Sequence, residues 1–335
     1  STWVNEATGL SLESSDPGLY ASGPSTVSVS IDGEAPVSVP AHYSMASFLL
    51  GRSDGEHIVR ISAEDNVGNF APEQRVTLIL DKSDPLTEFR LGAPVFGRFI
   101  SPTTPLDFYA VDGGSVPVGI LKTEYRTRRA SDADWTVWRT EPRPFLLGGA
   151  DREEVIEFYS TDKVFNTETA RSTAVIVDAT PPISELASTG PGIMAQTGLY
   201  VSTATSFEVR AQDPDPGPGA SGLAGSSRAF DLGSFVPSIS AFSLAGLADG
   251  GHTIRYFSAD RVENAGIVLS STVILDSRPP TSLISYAQTP YSDGSGRVFL
   301  RGLSQISFSA YDPPAQDATA SSVLDLRASI DQGSV

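Results

Sequence analysis

The sequence predicts an all-β chain of tandem antiparallel β-sandwiches. Three features carry this prediction: a repeat of one small domain, period-two alternation of apolar and polar residues, and Gly, Pro and Asp at the turns. Asp65, Asp162 and Asp260 end equivalent segments and lie 97 and 98 residues apart. Later aspartates with the same two spacings are Asp81, Asp178 and Asp276. Because whole units repeat without slippage, the chain holds about three and a half domains.

The linkers set the expected domain boundaries. Each follows the last strand of a repeat and carries proline: Asp81-Lys-Ser-Asp-Pro85, Asp178-Ala-Thr-Pro-Pro182 and Asp276-Ser-Arg-Pro-Pro280. Proline cannot donate to a strand ladder and keeps the chain extended, so we expect stiff joints and an elongated array. The predicted domains are repeat 1 (1–82, lacking its first strand), repeat 2 (83–179), repeat 3 (180–277) and repeat 4 (278–335, the N-terminal part of a domain).

The most alike segment of each repeat is a half-buried strand. Apolar residues two positions apart lie on one face of a strand and are predicted core: Val59 and Ile61, Ile156 and Phe158, Ile254 and Tyr256. The small residues Ala63, Ser160 and Ser258 continue this face, and the opposite face carries Arg60, Glu157 and Arg255. Asp-Gly precedes the strand in repeats 1 and 3, as suits a tight hairpin, and a second apolar run follows at 76–80, 173–177 and 271–275.

An earlier alternating run in each repeat also ends on an aspartate. These residues are Asp16, Asp112, Asp213 and Asp312, which are 96, 101 and 99 residues apart. Short strands at this spacing, with turn residues between them and no run of helical period, are typical of a β-sandwich.

Composition excludes several functions. The net charge of −17, from 40 acidic and 23 basic residues, repels nucleic acid and anionic lipid. No apolar run approaches the ~20 residues that a membrane span needs, so no membrane insertion is expected. The chain has no cysteine, which excludes disulfides, thiol catalysis and thiolate metal sites.

The order of these elements carries a resemblance. An Asp-Gly hairpin, a strand, Ser-x-Asp-x-x-x-Asn, a β-branched strand and an Asp-x-x-Pro-Pro linker resemble the bacterial Ig-like repeats of large cell-surface and secreted proteins. The pattern is also similar to the fibronectin type III-like spacers of modular secreted enzymes. The resemblance implies Ig-like sandwiches in an extracellular or cell-surface location. Repeat 2 departs from the pattern, with Glu154 where the other repeats have His57 and His252, and Phe165 where repeat 1 has Gly68.

The repeated Asp-x-x-x-Asn turns and the linker aspartates are candidate Ca²⁺ ligands, since hard cations take Asp and Asn oxygens. The candidates are Asp65, Asn69, Asp81, Asp162, Asn166, Asp178, Asp260 and Asn264. The favoured alternative is a turn whose side chains bond the backbone. Any Ca²⁺ would lie near a linker aspartate, Asp81 or Asp178, and the turn aspartate of the adjacent repeat. Chelator is then expected to leave the fold standing.

Other polar and aromatic residues are assigned no chemistry. His57, His252 and His42 lack metal-ligand spacing and are expected to be surface strand residues. Trp135 and Trp138 are three apart and would lie on opposite faces of a regular strand. A single side chain is a poor stacking surface, so carbohydrate binding is not favoured. The acidic, proline-rich segment 213–222 is interpreted as a loop.

We therefore expect a non-catalytic extracellular structural or adhesive protein, serving as a stalk, surface layer or filament component. The alternative is a spacer array within a modular secreted enzyme. The expected partners are other repeats of a longer chain or neighbouring copies. A segment of a longer chain is the favoured interpretation, because repeat 1 begins at its second strand and repeat 4 stops near the strand at 323–331. Strand exchange between copies is the other possibility.

Overall fold

The computed structural model describes residues 1–140, 144–215, 217, 219–302, 304–312 and 326–327. The described residues form two compact units, the first containing residues 1–179 and the second beginning at Thr180. Repeats 1 and 2 belong to the first unit, and repeat 3 with the described part of repeat 4 belongs to the second. Most of the predicted strand at 323–331, together with parts of the 213–222 loop, lies outside the described residues.

Repeat 1 contains seven strands and one short helix. They are β1 (Thr2–Val4), β2 (Ser11–Glu13), β3 (Pro24–Ile31), β4 (Val37–Val39), β5 (His42–Ser44), α1 (Ala46–Leu49), β6 (Gly55–Asp65) and β7 (Gln74–Leu80). The larger sheet has the order β1-β7-β6-β3-β4, and β2 pairs with β5 in the smaller one. The helix has only four residues, so the all-β prediction is confirmed for this repeat.

Repeat 2 has the same plan, with longer strands in its smaller sheet. Its strands are β8 (Leu86–Leu91), β9 (Val95–Phe96), β10 (Phe99–Ile100), β11 (Leu106–Val111), β12 (Ile120–Arg129), β13 (Arg139–Thr140), β14 (Arg152–Asp162) and β15 (Arg171–Val177). One sheet runs β13-β12-β14-β15-β10-β9, and β8 pairs with β11 in the other. An isolated bridge between Leu106 and Phe145 extends the smaller sheet.

The second unit repeats the plan. Its strands are β16 (Ile183–Thr189), β17 (Gly192–Ala195), β18 (Gly198–Val201), β19 (Ser206–Gln212), β20 (Leu223–Phe230), β21 (Val236–Pro237), β22 (Gly250–Asp260), β23 (Leu269–Leu275), β24 (Thr281–Tyr286), β25 (Tyr291–Ser292), β26 (Val298–Phe299) and β27 (Ile306–Tyr311). The orders are β17-β18-β23-β22-β20-β21 and β16-β19 in repeat 3, with β24-β27 and β25-β26 in repeat 4. No helix among the described residues is long and apolar enough to span a bilayer.

The register follows the aligned sequence columns. In each of the first three repeats the predicted strand ends on the repeating aspartate, at Asp65, Asp162 and Asp260, and pairs with the strand that follows it. Among the described strands the pairing is antiparallel except for one parallel pair in the larger sheet of each of the first three repeats: β1 with β7, β10 with β15, and β18 with β23. The alternation of apolar residues does not distinguish a parallel edge pair from an antiparallel one.

Each of the first three repeats has its own core. Val59, Ile156, Phe158, Ile254 and Tyr256 are buried, as predicted. Ile61 was also predicted to be buried. It packs against the repeat 1 core but is only partly buried, so that prediction is wrong. The reason is the thin cover above it, because the opposing sheet of repeat 1 is made of two three-residue strands, β2 and β5.

The core of repeat 2 is aromatic. Phe108 is fully buried, and its ring centroid lies 4.9 Å from that of Phe158 and 5.7 Å from that of Tyr125. Tyr125 in turn stacks on Phe145 at 4.4 Å. Ring contacts of this kind add to the stabilisation that comes from burial itself.

Candidate functional site

The Asp-x-x-x-Asn segments form the hydrogen-bonded turns that the sequence favours. In repeat 2, Asp162 Oδ1 accepts the backbone amides of Val164 at 2.8 Å and Asn166 at 2.9 Å, and Oδ2 accepts Asn166 Nδ2 at 2.8 Å. Asp65 and Asp260 make the same three bonds within their own repeats. A carboxylate that accepts backbone amides satisfies donors that the strand leaves unpaired, so each turn has a structural role without any metal.

The surroundings of these turns differ. Asp65 and Asn69 are at least partly exposed to solvent, whereas Asp162 is completely buried. Asp162 is covered because the linker of the preceding repeat reaches it. In repeat 2 the turn is therefore part of a junction between domains.

Three carboxylates converge at the junction of repeats 1 and 2. One oxygen each of Asp81, Asp112 and Asp162 lies within 4.8 Å of the others. Asp81 belongs to the linker, Asp112 follows strand β11, and Asp162 ends strand β14. Oxygens bound to one Ca²⁺ at 2.3–2.6 Å cannot be more than about 5 Å apart, so this spacing suits a shared cation.

The backbone satisfies part of this cluster. Asp81 Oδ1 accepts the amide of Ser83, and Asp81 Oδ2 accepts that of Val118, both at 3.1 Å. Asp112 Oδ2 accepts the amide of Gly119 at 2.6 Å. Asp112 Oδ1 is buried and has no hydrogen-bond partner within the described part of the chain. A buried carboxylate oxygen without a donor is costly, and a cation is one group that would relieve the cost.

Charge repulsion within the cluster also favours the binding of a cation or a proton. Burial raises the pKa of the Asp81 carboxyl, and the charges of Asp112 and Asp162 raise it further, against two backbone amides that lower it. Asp81 is 0 % exposed, so water screens these charges little. Either a proton or a cation would reduce the repulsion.

The linker is also bonded to both repeats. Asn166 Nδ2 donates to the carbonyl of Asp81 at 2.9 Å, and Asn5 Nδ2 donates to the carbonyl of Val164 at 2.6 Å. On the repeat 1 side, Asp54 accepts the backbone amide of Lys82 at 3.1 Å. The junction is therefore held by direct bonds between the two domains as well as by proline stiffness.

The sequence predicted part of this site. Asp81, Asp162 and Asn166 come together, whereas Asp65 and Asn69 lie at a separate turn of repeat 1. Asp178 is buried at the end of the first unit, and its amide donates to the carbonyl of Ile100 at 2.9 Å. Asp260 and Asn264 form their turn in the second unit.

The third carboxylate of the cluster, Asp112, was not among the predicted ligands. The signal that could have found it is the repeat of strand-ending aspartates, Asp16, Asp112, Asp213 and Asp312.

The expectation that all histidines are surface residues is wrong for His57, which is 7 % exposed. It is buried because it lies on the face of β6 that carries Val59, and its ring bonds Asp32 and the carbonyl of Ser53. His42 is exposed.

The prediction for the two tryptophans is also wrong. Trp135 and Trp138 both contact the guanidinium of Arg126, at 4.8 and 4.5 Å, and so lie on one side of the sheet. They can do so because the segment 133–138 is not a regular strand. Arg126 occupies ring surface that a sugar would need.

No family model matches the chain, and no curated protein matches it. Among solved structures, the chain is similar to the fibronectin(III)-like modules of Clostridium thermocellum CbhA, with 16% identity over 57% of this chain and 95% of that one, at a TM-score of 0.32. It is also similar to the FN1–FN3 domains of chicken CNTN1, with 7% identity over 76% of this chain and 90% of that one, at a TM-score of 0.31. The fold assignment rests on the sheets of the chain itself.

Proposed function

We propose that the chain is a non-catalytic structural array that spaces or presents other parts of a longer extracellular or cell-surface protein. The observation that carries the proposal is the bonded junction between repeats 1 and 2. Asp81 of the linker accepts hydrogen bonds from Val118 and Asn166 of the next domain. A spacer needs fixed joints, because freely jointed domains transmit neither distance nor orientation.

The alternative is a spacer array within a modular secreted enzyme. Both versions assign no catalysis to residues 1–335 and differ in what adjoins the array. The extracellular placement comes from the resemblance of the repeats, and antibody labelling of intact source cells would test it. Detection only after the cells are permeabilised would overturn that placement and leave the array proposal standing.

The stiffness of the junction can be measured directly in the full chain. The sequence contains no cysteine, so Arg75→Cys and Ser172→Cys place one spin label on an exposed strand position of repeat 1 and one on repeat 2. Double electron–electron resonance should give one narrow distance distribution. Asn166→Ala should broaden it, whereas the equivalent change in repeat 1, Asn69→Ala, should leave it unchanged. A broad distribution in the parent pair would contradict the spacer proposal.

We further propose that a divalent cation, Ca²⁺ by its preference for carboxylate oxygens, binds Asp81, Asp112 and Asp162 and tightens this junction. The specific support is the buried Oδ1 of Asp112, to which the described residues offer no donor. Bound Ca²⁺ at 100 times its dissociation constant would stabilise the folded chain by about 2.7 kcal/mol. The hydrogen-bonded turns remain without it, so chelator is expected to lower stability without unfolding the domains.

Calorimetric titration with CaCl₂ tests the cation. Asp112→Asn should remove one equivalent of binding. Asp16→Asn is the matched control, because Asp16 makes the same bond in repeat 1, to the amide of Gly23 at 2.9 Å. An unchanged stoichiometry in Asp112→Asn would reject the cation site and leave the structural array intact.

A further inference from the structure

The imidazoles of His57 and His252 make the same pair of contacts in repeats 1 and 3. His57 Nδ1 lies 2.7 Å from Asp32 Oδ2, and Nε2 lies 2.9 Å from the carbonyl oxygen of Ser53. His252 Nδ1 lies 2.9 Å from Asp231 Oδ2, and Nε2 lies 2.7 Å from the carbonyl oxygen of Ala248. Two residues far apart in sequence thus have one geometry.

Both atoms that each imidazole faces are hydrogen-bond acceptors. An ionised carboxylate and a backbone carbonyl only accept hydrogen bonds, and a neutral imidazole has one N–H to donate. The imidazolium has two, so it alone satisfies both contacts at once. The neutral ring would place an unprotonated nitrogen against an acceptor oxygen.

Each aspartate joins the start of the most alike strand of its repeat to the neighbouring strand of the same sheet. Asp32 follows β3, and its Oδ1 accepts the amide of Ile58 in β6 at 2.8 Å. Asp231 follows β20, and its Oδ1 accepts the amide of Thr253 in β22 at 2.8 Å. Both aspartates have positive φ, 53° and 50°, a conformation that Asp tolerates better than most residues. The carboxylate therefore holds the neighbouring strand and the histidine together.

We propose that protonation of His57 and His252 latches the starts of β6 and β22 to the neighbouring strands β3 and β20, so that repeats 1 and 3 carry a pH-sensitive element that repeat 2 lacks. The latch consists of the imidazolium, its aspartate and the carbonyl four residues before the histidine. Loss of the proton breaks one of the two ring contacts and frees that end of the strand.

An arginine acts on the aspartate of each latch. In repeat 1, Arg52 lies 3.3 Å from Asp32 and 2.7 Å from Glu34, so it shares the aspartate with His57. In repeat 3, Asp231 faces His252, and the charge of Arg255 acts on Asp231. Both arginines keep the aspartates ionised, which preserves the acceptor that the imidazolium needs.

Repeat 2 shows what replaces the latch. Arg128 pairs with Val155 and occupies the position of Asp32 and Asp231, while Glu154 occupies the position of the histidines. Glu154 bonds Arg152 at 2.8 Å, and Arg128 Nη1 donates to the carbonyl of Asp132 at 2.8 Å. The latch positions of repeat 2 therefore carry no group that ordinarily titrates between pH 6 and 8.

The pH range follows from His252. Burial lowers its pKa, but the carbonyl of Ala248 and the hydrogen bond and charge of Asp231 outweigh it, so the pKa is raised above 6.5. The folded state then holds its proton more tightly than the unfolded state. The stability from the latch is complete below pH 6.5 and is lost as pH rises through the folded pKa.

Hydrogen exchange with mass spectrometry on the full chain tests the latch. After correction for the intrinsic pH dependence of amide exchange, segments 55–65 and 250–260 should exchange about tenfold faster at pH 8.5 than at pH 6, since a charged hydrogen bond is lost. Segment 152–162 of repeat 2 is the internal control and should not change. His57→Gln and His252→Gln should abolish the difference, each in its own repeat only.

Two results would overturn the proposal. One is an equal change in segment 152–162, or a change that persists in the glutamine variants. The other comes from nitrogen-15 spectra of the unaltered chain, which require no variant to fold. At pH 6 the ring of His252 should show two protonated nitrogens, and a neutral ring there contradicts the latch.

Discussion

Repeats 1 and 2 share one strand–turn–strand arrangement. They differ in the residues that lie against the turn. In both, the turn aspartate accepts two backbone amides and the side chain of the asparagine four residues later. In repeat 1 that turn is partly open to solvent. In repeat 2 the linker aspartate Asp81 and the strand-end aspartate Asp112 lie against it. One sequence motif is thus a plain turn in one place and a candidate cation site in another.

The two cores differ in a comparable way. Repeat 2 closes its aromatic cluster under β8 and β11, which are paired over six residues. Repeat 1 covers the same face with strands of three residues, and Ile61 stays partly exposed. The same alternation in the sequence therefore buries the aligned strand to different depths in the two repeats.

The largest expected effect tests the cores. Phe158→Ala should lower the free energy of unfolding by about 3 to 5 kcal/mol, because removal of this buried ring leaves a cavity. Ile61→Ala should cost less, about 1 to 2 kcal/mol, since part of that side chain already contacts water. Urea denaturation followed by tryptophan fluorescence measures both, with Trp3 in repeat 1 and Trp135 and Trp138 in repeat 2. Equal losses of unfolding free energy would show that the length of the opposing strands does not affect how much these two side chains contribute to stability.

A smaller effect tests the turns. Asn166→Ala removes the side-chain amide that donates to Asp162 and to the buried carbonyl of Asp81. The loss should lower the free energy of unfolding by about 1 to 3 kcal/mol. Asn69→Ala breaks the bond to Asp65 at a solvent-exposed turn and should cost about 0.5 kcal/mol. Thermal unfolding of the two variants, with and without Ca²⁺, separates the turn from the junction. A larger loss in Asn69→Ala would contradict the role given to the linker.

The smallest effect concerns a group that only repeat 2 has. Tyr159 donates its hydroxyl to Glu124 at 2.6 Å, and this hydrogen bond, with burial and the charge of Glu124, raises its pKa to about 12. Repeat 1 has Ser62 at the equivalent position. The folded state keeps the phenol proton longer than the unfolded state, so this stabilisation is present below pH 10 and lost as pH rises toward 12.

Tyr159→Phe should lower stability at neutral pH by about 1 kcal/mol or less. It should also remove one late-titrating phenol from the ultraviolet titration. Retention of that late step in the variant would assign it to another tyrosine.

The sequence by itself determined the sandwich plan, the strand that ends on Asp65, Asp162 and Asp260, and most of its buried face. It could do so because hydrophobic alternation and turn chemistry are local properties, and a repeat shows them three times. The hydrogen bonds within the Asp-x-x-x-Asn turns are local too, since they join residues four apart.

Only the tertiary structure decided which aspartates meet. Asp81, Asp112 and Asp162 lie 31 to 81 residues apart in the chain, and their approach depends on how one domain docks on the next. Likewise, Ile61 and Phe158 share one alignment column, but the opposing sheet sets how deeply each is buried. His57 lies on the same face of β6 as Val59, but its contact with Asp32 joins residues 25 apart in the chain. Contacts between distant segments have no periodicity along the chain, so no pattern in the sequence reports them.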